Sequence, residues 1–77
     1  MIRSVIIDDE PNNIETLEYL LKKNFTNVVI AGTAVNAKDG IVLINNVSPD
    51  LIFLDIQMPG QTGFDMLKQF EIGRAHV

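Results

Sequence analysis

The sequence predicts an α/β fold built on parallel strands, and three observations carry the prediction. Short apolar runs at Ile2–Ile7, Val28–Ala34 and Leu51–Leu54 read as strands. Stretches with apolar residues at helical spacing follow each of them, so the order is β-α-β-α-β-α. The connections are too long for hairpins, which leaves parallel strands joined by right-handed crossovers.

Ile2–Ile7 has Val5, Ile6 and Ile7 as its β-branched heart and is closed by Asp8, Asp9 and Glu10. Pro11 suits the first helical position, where a missing N–H costs little. Ile14, Leu17 and Leu21 then share one helix face, and Leu20 and Phe25 are expected to widen it. Glu15 and Glu18 precede Lys22 and Lys23, an order that complements the helix dipole, and Asn24 and Asn27 mark the exit. Val28–Ala34 is expected to be a shorter strand because Gly32 interrupts it. Asn36 is a good N-cap for a second helix with Ala37, Ile41, Ile44 and Val47 along one stripe, and Ser48-Pro49 stops it. Leu51–Leu54 has no polar alternation, as expected of a strand buried on both faces, and ends on Asp55. Pro59-Gly60 and Gly63 punctuate a loop, and a third helix starts near Phe64 with Leu67 and Phe70 on one side.

Composition bounds the function. The chain has 77 residues, room for one domain, and 47% of them are hydrophobic, so it should seek a core. A net charge of −4, with no run among the six basic residues, argues against a nucleic-acid groove. With no cysteine, neither a disulfide nor a thiolate metal site can form. The N-terminus is too short in apolar residues and too acidic for a signal peptide or membrane span, so a cytoplasmic protein is expected.

The segment LIFLDIQMPGQTGFDML, from Leu51 to Leu67, resembles the phosphoacceptor region of bacterial response-regulator receiver domains, the CheY-like superfamily. In that family an Asp ends the third strand and a Met-Pro-Gly loop follows; here these are Asp55 and Met58-Pro59-Gly60. The acidic pair Asp8-Asp9 after the first strand is a second anchor, and the resemblance covers roughly residues 2–70. It implies a doubly wound, flavodoxin-like sheet of order 2-1-3-4-5 in the full domain, of which only the N-terminal β-α-β-α-β-α part is present. That order would bring Asp8, Asp9 and Asp55 together at adjacent strand ends. Converging carboxylates disfavour joint ionisation unless a cation neutralises them, and oxygen-only ligands select a hard ion, Mg²⁺ (or Mn²⁺).

Carried over residue by residue, the resemblance implies that Asp9 binds the metal directly and Asp8 mainly through water. Asp55 would be both ligand and phosphoacceptor, and the backbone carbonyl of Gln57 a further ligand. The implied function is a switch domain that takes a phosphoryl group from a sensor histidine kinase onto Asp55, with at most weak self-catalysed transfer and hydrolysis. Plainer readings stand beside this one: Asp55 as a turn cap, and Asp8-Asp9-Glu10 as an acidic helix start. Two functional alternatives also stand. A haloacid-dehalogenase-like phosphatase uses an Asp nucleophile and Mg²⁺ but wants Asp-x-Asp after its first strand, whereas the acids here are adjacent. A pseudo-receiver would keep the fold as an interaction domain without the chemistry, and the intact acidic triad argues against it.

The start of the chain and its GTAVNAKDG segment resemble receivers joined to LytTR-type DNA-binding domains, an output module absent from these residues. The family's Ser/Thr and Lys switch positions fall after a fourth and a fifth strand, beyond this chain. Residues 1–70 are therefore expected to be a partial receiver domain. Residues 71–77, EIGRAHV, are expected to be a non-native tail: GAG ATC GGA AGA GCA CAC GTC encodes them and, apart from its first base, matches a common sequencing adapter. His76 is accordingly given no role. Such a part, expressed alone, is expected to aggregate or remain molten, because the Leu51–Leu54 strand would offer an unpaired edge.

Overall fold

A computed structural model of the chain describes residues 1–55. In chain order these form β1 (Ile2–Ile7), α1 (Pro11–Asn24), β2 (Val28–Ala34), α2 (Ala37–Val47) and β3 (Leu51–Leu54). All three strands are parallel and lie in the order β2-β1-β3, so β1 is central.

The winding follows from that order. The chain steps from β1 to β2 on one side, then crosses back over β1 to reach β3. Right-handed crossovers taken in opposite directions put their helices on opposite faces of the sheet. The alternation of side chains along each strand shows this directly. Val5, Ile7 and Ile52 pack with Ala34, Ala37 and Ile44 on the α2 face. Ile6 packs with Ile14 and Leu21 on the α1 face, joined there by Phe53 and Ile30. Ser4 is the buried polar side chain of β1, and its hydroxyl is satisfied by donating to the carbonyl of Val29 at 3.0 Å.

Local chemistry sets the element ends. Pro11 occupies the start of α1, whose last turn carries Lys22 and Lys23; no acid lies in its first turn. The Asn36 side chain accepts from the Asp39 backbone N–H at 2.7 Å and caps α2. Ser48 ends α2 in the left-handed region at φ 51°, where its N–H donates to Ile44. At the foot of β3, the Asp50 N–H donates to the Arg3 carbonyl at 2.8 Å and the Arg3 N–H donates to the Asp50 carboxylate at 3.0 Å.

Three expectations need correction. Leu20 and Phe25 do not extend the buried stripe of α1: they are 45% and 55% exposed, because the sheet covers only the face carrying Ile14 and Leu21. β2 is not shortened at Gly32; its seven residues make it the longest of the three. The sheet absorbs Gly32 through a bulge, since Ser4 pairs with Ile30 while Val5 pairs with Gly32 and Ala31 is passed over. Finally, β3 is not uniformly buried, for only Ile52 is fully enclosed and its three neighbours are half-buried. The third helix expected near Phe64 lies outside the described residues.

Candidate metal and phosphoacceptor site

In an open doubly wound sheet, ligands sit at the carboxyl ends of the strands where the winding changes direction, here between β1 and β3. The ladder continues one step past both strand ends. The Asp8 N–H donates to the Ala34 carbonyl at 3.0 Å, and the Asp55 N–H donates to the Ile7 carbonyl at 3.0 Å. β1 and β3 pair Ile7 with Leu54, so the next residue of each strand, Asp8 and Asp55, emerges at the same level.

One carboxylate oxygen from each of Asp8, Asp9 and Asp55 lies within 4.8 Å of the others, and all three residues are half-buried. The Asp9 carboxyl is raised above its ordinary value. Partial removal from water is the largest cause, followed by a hydrogen bond and charge repulsion from Asp55; its own backbone pulls the other way, and Asp8 adds a smaller push. Asp9 is open enough to solvent that water screens much of this effect.

Such crowding fits a cation. The donors are all carboxylate oxygens, which suit a hard divalent ion, and a cation among them would offset the repulsion that Asp55 and Asp8 exert on Asp9. Beside the acids a cleft of about 430 Å³ opens, with Asn13, Leu17 and Phe53 in its wall and Asp8 and Asp55 at its polar end. The sequence singled out all three acids, and the structure brings all three together. Gln57, expected to supply a backbone carbonyl, lies outside the described residues.

Sequence reasoning missed Asn13. Its side-chain amide donates to Asp8 Oδ2 at 3.4 Å, while Asp8 Oδ1 accepts the Glu10 N–H at 2.9 Å. A usable signal was present. With Pro11 opening the helix, Asn13 is the third helical residue, a position whose side chain commonly reaches back toward the preceding turn. No helix among the described residues is long and apolar enough to cross a membrane.

Comparison with known proteins agrees with this geometry. Residues 5–76 match the model of the response regulator receiver domain. An uncharacterized response regulatory protein of Vibrio vulnificus is 43% identical over 67 residues, covering 87% of this chain and 27% of that protein. The transcriptional regulatory protein BtsR of Escherichia coli K12 is 40% identical over 67 residues, covering 87% of this chain and 28% of the relative. The chain thus spans little more than a quarter of the length of these curated relatives. Among solved structures, the response regulator domain of Thermotoga maritima CheB superposes with a TM-score of 0.81 at 25% identity, over 88% of this chain and 50% of that one. No relative among these points to a haloacid-dehalogenase-like phosphatase, and the adjacent acids after β1 lack that family's spacing. With the β2-β1-β3 sheet, the acids at its switch point and a family match across nearly the whole chain, this protein belongs to the receiver domain family of two-component response regulators.

Proposed function

We propose that Asp55 is the phosphoacceptor and that Asp8, Asp9, Asp55 and the backbone carbonyl of Gln57 hold a Mg²⁺ or Mn²⁺ ion for the transfer. The donor is a sensor histidine kinase in the cytoplasm. The receiver is joined to a DNA-binding output domain of LytTR type, as its sequence resemblance suggests; a transcriptional regulatory protein, BtsR, among its relatives agrees with an output on transcription. The observation that carries the reading is the meeting of three carboxylate oxygens within 4.8 Å, from strand ends separated by most of the described chain.

Asp55 is fixed at the end of β3 by its backbone bond to Ile7 and stands beside the cleft, where a phosphoryl group can approach it. Its carboxylate oxygen attacks phosphorus as the P–N bond of the donor phosphohistidine breaks, and the departing imidazole nitrogen takes a proton from water. Asp8 and Asp9 hold negative charge next to the acceptor, which disfavours the approach of an anion unless it is neutralised. A bound divalent cation supplies that neutralisation and offsets charge building on the phosphoryl oxygens. Leu17 and Phe53 give the cleft an apolar wall.

Incubating the full-length protein with acetyl phosphate and Mg²⁺ should add one phosphoryl mass, and Asp55→Asn should abolish it with the fold retained. Undiminished labelling of the Asn variant would refute the assignment. So would phosphate on Ser4, whose hydroxyl is buried and already bonded to Val29.

A further inference from the structure

We propose that Asn13 is a positioning residue for Asp8, setting the direction from which that carboxylate serves the cation; the inference rests on the metal-dependent reading above. Asp8 is gripped at both oxygens. The Glu10 backbone N–H holds Oδ1 at 2.9 Å, a bond that almost any residue at position 10 would supply. Oδ2 receives the side-chain amide of Asn13 at 3.4 Å, and this hold depends on the identity of residue 13. The amide nitrogen is the end that faces Asp8, because an ionised carboxylate only accepts and the amide oxygen would repel it.

The placement is not explained by helix capping. Glu10 stands at the N-cap without a side-chain bond to the helix, and the backbone N–H of Asn13 is already committed to the Glu10 carbonyl at 3.0 Å. Asn13 is itself exposed to solvent and lines the cleft with Asp8 and Asp55, so its amide stands at the site and contributes nothing to the core. An ionised carboxylate has about four lone-pair positions, so the two amide bonds leave Asp8 able to face a cation or its bound water. Fixing a ligand through a hydrogen-bond partner behind it narrows its orientations and raises metal affinity, typically by about 10–100-fold. The length of this bond places Asn13 at the low end.

The test is Mn²⁺ affinity of the full-length protein, read from water-proton relaxation, for the parent, Asn13→Leu, Asp8→Asn and the double variant. Leucine at an exposed helical position should leave thermal unfolding unchanged, which separates positioning from folding. Asn13→Leu should weaken Mn²⁺ binding by roughly tenfold, and the loss should disappear in the Asp8→Asn background. Equal affinity of Asn13→Leu and the parent would overturn the role of Asn13 while leaving the metal site standing. An undiminished loss in the Asp8→Asn background would overturn it too, since Asn13 would then act through something else. A parent that binds no Mn²⁺ would overturn the metal reading and this inference together.

Discussion

Gly32 is where one added carbon would meet a side chain of α2. It sits in the bulge of β2, under α2, and a Cβ built on it would lie 2.5 Å from Leu43 Cδ1 and 3.4 Å from Cδ2 and Cγ. Restoring ordinary contact at Cδ1 needs a displacement of about 0.9 Å. Leu43 is half-buried and packs against the cluster on the α2 face, so moving its Cδ1 disturbs contacts there. Overpacking of this kind costs about 1–3 kcal/mol. Replacing Gly by Ala in a strand recovers about 0.5–1 kcal/mol. Gly32→Ala should therefore destabilise by up to about 2.5 kcal/mol. Leu43→Ala alone should cost about 1–2 kcal/mol, below the range for fully buried leucines.

In the double variant the clash is gone, so the two costs should not add; the coupling should be about 1–3 kcal/mol in favour of the pair. The assay is urea unfolding of the full-length protein and the three variants, compared at constant m-value. Additive costs in the double variant would refute the close-approach reasoning. The outcome bears on the site as well, because β2 ends at Ala34, whose carbonyl anchors the N–H of Asp8.

Asp9→Asn should act in opposite directions on stability and on metal binding. Because the folded-state value of Asp9 is raised, its penalty is absent below the ordinary value of 3.8 and complete above the raised one. In chelator, the stability of Asp9→Asn relative to the parent should therefore grow as pH rises through that interval; a difference that is flat or shrinks would contradict the crowding. With Mn²⁺, the same variant should bind more weakly than the parent, and equal affinity would remove Asp9 from the ligand set. Ser48→Gly should stabilise α2 by about 0.5–1 kcal/mol, since Ser48 holds φ 51° and glycine adopts that conformation without a Cβ clash. A lower urea midpoint for Ser48→Gly would show that the Ser48 side chain is worth more than the strain it carries.

What the sequence determined by itself was the set of elements and the identity of the acids. Buried parallel strands announce themselves as apolar runs, so Val5-Ile6-Ile7 and Leu51–Leu54 were legible, and Pro11, Asn36 and Ser48-Pro49 marked helix ends through local bonds and steric limits. The motif around Asp55 and the pair Asp8-Asp9 carried the family, because that chemistry requires particular residue types at strand ends. Local signals reach only a few residues, however, and the remaining features depend on contacts between distant ones. The β2-β1-β3 order, which places Asp55 beside Asp8, comes from pairing across the whole described chain. The bulge that lets Gly32 sit in the longest strand exists only opposite Ser4 and Val5. Leu20 and Phe25 look like core by spacing, yet which part of an apolar helix face is buried depends on what packs against it, and the sheet meets α1 along Ile14 and Leu21. Asn13 could be placed at the third helical position from Pro11, but the carboxylate its amide holds is fixed only when the turn brings Asp8 to the first turn of α1.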